Sequence, residues 1–331
     1  MTQAHSRRGV LLGGALAAAS AFPALTGRAY AQTTWPSKPI RLLVPFAPGG
    51  SSEIVARSTA NELTKILGQT VFVENKPGAS GNIAMQECAM STDGHTMVLG
   101  HVGTLAVNPF IFDKLPFDTN KDFKPISLLA KVPSLYVVNA NIPAKNLKEF
   151  IALAKSKPGQ LNYGSAGNGS AGHLAFEYLK MVADMFVLHV PYRGTGPQLT
   201  DLLAGRLDAA SVGAPAILAH VKSGKLRAIA TGTKERLALL PDVPTVAESG
   251  YPGFEMTQWY GLNAPTNMPQ IAIDKIADAC ATAMKNPLAT ERLRADTALP
   301  VGDSPAQYAA FIKTEQARWK LVTARAKIKP D

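Results

Sequence analysis

Long apolar runs, cysteines and blocks of like charge are all scarce in this sequence. Beyond residue 31 of its 331, no segment offers the roughly eighteen uninterrupted apolar residues of a spanning helix. Only two cysteines occur, Cys88 and Cys280, both in helix-like segments. One disulfide is permitted in an oxidising compartment, and two buried thiols account for them equally well. Lys and Arg are scattered and not interleaved with aromatics, so the clustered basic stripe of a nucleic-acid binder is missing. Catalytic signatures are thin as well. Gly224-Lys225 is followed by Leu226, which breaks the nucleotide-loop pattern. Gly167 to Gly172 fits the dinucleotide spacing, yet the next strand ends in His189-Val190-Pro191 with no acidic residue. Ser51, Ser52, Ser80 and Ser170 all fail the Gly-x-Ser-x-Gly elbow. Among His95, His101, His173, His189 and His220, none pairs at helical metal-ligand spacing. The expectation is a protein that is not an enzyme and needs no metal or cofactor.

What is present begins with an address. Arg7 and Arg8 precede an Ala/Gly/Leu-rich stretch from Val10 to Leu25, and Ala29-Tyr30-Ala31 fits a small-x-small cleavage site. That stretch has about sixteen residues, short of the roughly twenty that cross a bilayer. Residues 1–31 therefore read as a signal peptide, with a mature, periplasmic chain starting at Gln32. Ser6-Arg7-Arg8 also suits a twin-arginine signal, which leaves the export route open. Net charge is +10, falling to +7 once Arg7, Arg8 and Arg28 are gone. A positive chain draws acidic ligands, and an ordinary solvated surface explains the charge as well. The 46% hydrophobic, 18% charged composition is that of a globular protein with room for two domains.

Short apolar strands alternate with helical patterns along the chain. Strands are expected at 39–45, 70–74, 96–99, 135–138, 161–164, 186–190, 209–212, 226–231 and 254–262. Helices are expected at 52–67, 82–89, 147–156, 171–182, 198–204 and 217–222, with a mostly helical tail. Tyr308, Phe311, Glu315, Trp319 and Val322 share one face there. This alternation indicates an α/β fold with mostly parallel sheets flanked by helices. The boundaries read as residues 32–138 plus 255–331 for one lobe and 139–254 for the other, with two crossings that make a hinge.

Four small-residue loops join strands to helices. Phe46-Ala47-Pro48-Gly49-Gly50-Ser51-Ser52 is the first, with Ser51 or Ser52 placed to cap the helix. Ser80 and Asn82 lie in the second, Ser165, Gly169 and Ser170 in the third, Gly194 and Thr195 in the fourth. Backbone N–H groups at such helix starts form an anion cradle. Beside the loops, His101 and Thr104 follow a strand and are candidates to line the cleft, with packing an equal alternative for His101. His173 reads as a cleft wall or a packing residue. Arg193 reads as a carboxylate clamp or a lobe brace. Asp208 enters the cleft or fixes the Gly205 turn.

Taken in order, Trp35–Ile40, Val44–Gly50, Val73–Ala79, Leu161–Ser165, His189–Gly194, Asp201–Gly205 and Leu240–Glu248 resemble the Bug family, the solute receptors of tripartite tricarboxylate transporters. The resemblance implies a two-lobed, Venus-flytrap periplasmic-binding-protein fold. It implies capture of a small carboxylate by a monomer that delivers it to the transporter's membrane subunits. It also implies that loops such as Gly49–Ser52, Ser80–Asn82, Gly164–Ser170 and Gly194–Thr195 hold the acid. A receptor serving a signalling partner and a periplasmic hydrolase are the alternatives. Two departures stand out: Glu53 replaces the family's usual Asp, and Ala209–Pro215 is less bulky, so the pocket there is expected to be roomier.

Overall fold

The computed structural model describes residues 35–295, 297–326 and 328–329; the expected signal peptide, 1–31, lies outside the described residues. β1 (Ile40–Val44) pairs in parallel with β2 (Val71–Asn75) on one side and β3 (Thr96–His101) on the other. α1 (Ser51–Leu67) and α2 (Asn82–Ala89) are the crossovers. α1 ends where Gly68 adopts a left-handed φ of 69° and donates its N–H to the Thr64 carbonyl at 3.1 Å, a conformation that costs glycine nothing. A π-helical turn (Val102–Val107) and the short α3 (Asn108–Ile111) follow β3.

The long strand β4 (Phe123–Asn139) then connects the two halves of the molecule. Only 135–138 of it is legible as strand, because Pro125 and Pro133 punctuate the rest. The structure absorbs Pro125 at a register shift, one of two along the pairing with β9 (Thr257–Pro265), where a bulge tolerates a missing N–H. β4 pairs with β9 as far as Pro133↔Thr257. From Ser134 onward it pairs instead with β7 (Ala209–Gly213) and β8 (Leu226–Thr231). One strand thus belongs to two sheets.

The second sheet adds β5 (Asn162–Ser165) and β6 (Leu188–Pro191), with β5 parallel to both β6 and β7. Its helices are α4 (Leu147–Ser156), α5 (Ala171–Ala183), α6 (Thr195–Leu203) and α7 (Ala214–Lys222). The whole path runs β2-β1-β3-β9-β4-β7-β5-β6, with β8 and β10 (Leu299–Pro300) also on β4. The expected parallel pairs sit within each lobe, and antiparallel β4 and β9 stitch them together. The chain returns beside its outward crossing: Gly232 donates its N–H to the Ser134 carbonyl at 2.9 Å, and Met256 donates to Gly232 at 2.7 Å.

α8 (Gln270–Lys285), α9 (Pro287–Ala295) and α10 (Pro305–Ala326) finish the first lobe. Cys88 and Cys280 are both free, buried thiols in separate apolar clusters. Burial raises both, that of Cys280 to about 12. α10 buries Tyr308, Glu315, Trp319 and Val322 as its pattern requires, with Ile312 going deeper than Phe311. Glu315 is the polar centre of that face. Its Oε2 accepts from Trp259 Nε1 at 2.8 Å and from Trp319 Nε1 at 3.2 Å. Glu315→Ala strands two buried indole N–H groups, so chemical denaturation should show a loss of about 2–4 kcal/mol; Glu315→Gln should lose less, since its amide oxygen still accepts. Equal, negligible losses would show that the two indoles do not depend on this acceptor.

Candidate functional site

Four helices begin at one cavity. Ser51 and Ser52 are the first residues of α1, Ser170 caps α5 ahead of Ala171 and Gly172, Thr195 opens α6, and Gly213 caps α7. All of these line one enclosed space of about 30 Å³ between the loops. Each helix start carries unpaired N–H groups and a partial positive charge. The cavity is completed by Phe46, His101, Ala166, Gln198, Ser211, Val212, Gln258 and Tyr260. No Asp, Glu, Lys or Arg contributes to this lining.

The serines of the first loop do not cap α1 as expected. Gly50 is the N-cap and offers no side chain, so Ser51 and Ser52 lie inside the helix with their side chains on the cavity wall. Ser51 Oγ, Ser211 Oγ and His101 Nε2 are buried without a hydrogen-bond partner among the described residues. Buried polar atoms in native proteins are nearly always paired, so three orphans on one wall point to a polar guest.

His101 has a defined tautomer. Its Nδ1 accepts the Thr104 backbone N–H at 3.1 Å, while Thr104 Oγ1 accepts the His101 backbone N–H at 3.2 Å. A ring nitrogen that accepts carries no proton, so the hydrogen resides on Nε2. Burial holds the ring's pKa down to about 3. His101 is therefore a neutral donor, packed edge-on against Phe46 at 4.7 Å and stacked toward Tyr260 at 6.5 Å.

The lobes meet where side chains are missing. A Cβ on Gly103 would stand 2.1 Å from the Gly169 carbonyl oxygen, and one on Gly213 2.1 Å from Ser51 Oγ. A Cβ on Gly194 would approach Ala47 Cβ to 2.7 Å, and one on Gly50 would approach Thr195 Oγ1 to 2.7 Å. The cleft is closed.

The other expected site residues are distributed around this centre. Thr104 orients His101. Ser80 and Gly169 face each other across the lobes, and Asn82 accepts at Oδ1 from Asn108 Nδ2 at 2.7 Å. Ser165 lies inside the second lobe, where its Oγ meets His189 Nε2 at 2.7 Å and accepts the Gly167 N–H at 3.1 Å. His173 Nδ1 accepts the Gly169 N–H at 3.1 Å, and its ring stacks on His189 at 4.3 Å. Both residues shape the third loop from behind. Arg193 lines a neighbouring cavity. Asp208 sits at the start of β7, whereas the cavity touches its last residues; Asp208 Oδ2 accepts the Asn162 N–H at 2.8 Å and clasps β5 to β7. Glu53 is spoken for by Arg57 and by Asn75 Nδ2, which also donates to the Phe46 carbonyl. Gln198, Gln258 and Tyr260 were not anticipated, and Ser211 was expected only as part of the less bulky Ala209–Pro215 segment. Ser211 was within reach, since it lies near the carboxyl end of a strand that leads directly into a helix.

Comparison with known proteins settles the family. A family model described as "Tripartite tricarboxylate transporter family receptor" matches residues 55–327. The chain belongs to this receptor family. Protein BugT of Bordetella pertussis is 35% identical to the receptor over 288 residues, covering 86% of this chain and 88% of its own. An R. palustris protein solved with adipate superposes with a TM-score of 0.86 at 33% identity, covering 90% of this chain and all of its own. MatC from Rhodopseudomonas palustris, with bound malate, gives 0.82 at 34% identity over 87% and 99%. The periplasmic binding protein BugD gives 0.85 at 32% identity over 89% and 99%. The receptor's two-lobed α/β architecture is that of these proteins. Among its described residues, no group of three or more His, Cys, Asp or Glu is arranged to hold a metal ion, and no helix is long and apolar enough to cross a membrane.

Two outcomes follow from this geometry. His101, His173 and His189 are held near pKa 3, 4 and 3 chiefly by burial, against 6.5 normally. The unfolded chain binds protons that the folded chain refuses, so stability is full above about pH 6.5 and is lost progressively below it. The melting temperature should be flat from about pH 7 to 8 and fall on acidification. His173→Asn, which keeps an acceptor for Gly169, should soften that fall; an identical profile would remove the histidines from the account. Gly103→Ala should hold the lobes apart, giving a larger radius of gyration in solution scattering than the parent chain. An unchanged radius would mean that this approach does not limit closure.

Proposed function

We propose that this protein is an exported periplasmic receptor that captures a small organic acid by its carboxylate and delivers it to the membrane subunits of a tripartite tricarboxylate transporter. The observation that carries the reading is the convergence of four helix N-termini and three unpartnered polar atoms on a cavity without charged side chains. A carboxylate meets those needs: it accepts from backbone N–H groups, serine hydroxyls and His101 Nε2–H, and the helix ends supply the compensating potential. Neutral donors keep binding reversible, as handing over a cargo requires. Adipate and malate in the two R. palustris structures are acids of the right class.

In this reading residues 1–31 are removed on export, and the receptor works as a monomer without metal or cofactor. Lobes of 32–138 plus 255–331 and of 139–254 close about the two crossings of the chain between them. Its role is binding and release, with no bond made or broken.

A thermal-shift screen of the chain from Gln32 onward, against a panel of carboxylates with calorimetric follow-up, tests this directly. One acid should raise the melting temperature by several degrees and bind at one-to-one stoichiometry without turnover. Replacing Ser51 and Ser52 together by leucine should abolish that binding while the protein remains folded. A folded double variant that binds normally sinks the assignment of the first loop, and consumption of any acid sinks the receptor reading.

A further inference from the structure

The outer face of the last helix carries charge of one sign. α10 buries Tyr308, Ile312, Glu315, Trp319 and Val322 against the first lobe. On its other side Lys313, Lys320, Leu321 and Arg325 are exposed, and Arg318 is partly so. Lys313 and Lys320 stand two turns apart, as do Arg318 and Arg325, with Leu321 between the two pairs. Leu321 is 64% exposed. The one carboxylate of α10, Glu315, is turned inward to the two indoles and adds no negative charge to this face.

Other charged helices of the receptor are built differently. α1 pairs Glu53 with Arg57 and Glu62 with Lys65. α4 exposes Glu149 beside Lys148, and α8 exposes Asp274 and Asp278 around Lys275. Such mixed faces balance their own charge. On α10, Arg318 meets Glu315 at 3.5 Å. The side chains of Lys313, Lys320 and Arg325 make no ion pair or hydrogen bond with any described residue.

We infer that the outer face of α10 is a docking surface for an anionic phospholipid bilayer. Charge complementarity selects this occupant. A bilayer presents a plane of phosphates, which suits cations spread over about 18 Å of straight helix with no acid among them. Leu321 reaches the boundary beneath the phosphates, while the long stems of the flanking Lys and Arg side chains carry their charges back up to them. The helix lies on the membrane, and no described helix is long and apolar enough to cross it. Each cation near an acidic surface contributes about fivefold in affinity, so several together give measurable, salt-sensitive binding. A receptor held there searches a plane for partners embedded in it. This goes beyond the proposed function and is independent of what the cavity binds.

Cosedimentation of the chain from Gln32 onward with vesicles tests this, using phosphatidylcholine alone or with about one-third phosphatidylglycerol. The parent should bind the acidic vesicles about tenfold or more better than the neutral ones, and about 0.5 M salt should erase the preference. Lys313→Gln, Lys320→Gln and Arg325→Gln combined should lose about tenfold or more on acidic vesicles. Lys148→Gln, Lys225→Gln and Lys285→Gln combined remove the same charge elsewhere and should stay within about twofold of the parent. All six side chains are exposed, so both variants should fold as the parent does. A parent that binds both kinds of vesicle equally, or neither, overturns the inference. Equal losses in the two triple variants also overturn it, since net charge alone would then explain the binding. A parent that binds only membranes carrying the transporter's subunits overturns it in favour of a protein partner.

Discussion

Closure in this molecule is limited by backbone. The two lobes touch at Gly103 against Gly169, Gly213 against Ser51 and Gly194 against Ala47, each at a spacing that a single added carbon would occupy. Side chains there would hold the loops apart by the thickness of a methyl group, and the helix starts behind them would no longer share one cavity. Proximity matters because the field of a helix end falls off within its first turn. Four such ends act together only if all four reach the same few ångströms. The glycines of the loops therefore shape the cavity as much as the serines that follow them.

In the proposed reading, a charged clamp in the cavity would do the work of the helix starts differently. A buried Arg or Lys loses its hydration and needs a partner in the ligand-free state, or it destabilises the fold. Helix starts have no such cost, because the peptide dipoles are already ordered by the helices themselves. His101 follows the same logic. Thr104 fixes its tautomer and burial keeps it uncharged, so it offers one N–H and no net charge. Arg193 lines the neighbouring cavity and stays exposed to water, so its charge carries little desolvation cost.

The loops were the legible part of this protein. Glycine and serine at strand-to-helix junctions have a local meaning that survives without any knowledge of tertiary contacts, so the starts of α1, α5 and α6 at the cavity could be placed from residue order alone, whereas the second loop lies at the neighbouring cavity and the start of α7 takes its place. Ser165, His173 and Asp208 belong to the same junctions, but residue type did not reveal the direction of their side chains. They turn inward to Gly167, Gly169 and Asn162 and brace the second lobe from within. Gln258 and Tyr260 were invisible for another reason. β9 is inserted between β3 and β4 from far along the chain, and nothing local to 257–265 announces that pairing. The first part of β4 was hidden by its own prolines, which would ordinarily mark the end of a strand; here Pro125 adjoins a bulge and Pro133 is the last residue paired with β9.

That same strand constrains how the cleft can open. β4 is continuous through Ser134, and the returning chain is hydrogen-bonded to it at Gly232, which in turn pairs with Met256. The two crossings lie side by side, so rotation about them is possible with little change in their pairing, whereas sliding would break it. A Cβ on Gly232 would stand 2.4 Å from the Met256 carbonyl oxygen, so this contact too is backbone to backbone. Close to the crossings, Phe254 stacks on Tyr178 at 4.5 Å, and Trp319 of α10 meets the other side of that seam at 6.3 Å. Tyr178 belongs to the second lobe and Trp319 to the first. Of the glycine contacts, Gly213 against Ser51 lies beside the crossing itself, since Gly213 pairs with Ser134. A rotation about the paired crossings keeps their hydrogen bonds, which favours a hinge motion over dissociation of the lobes.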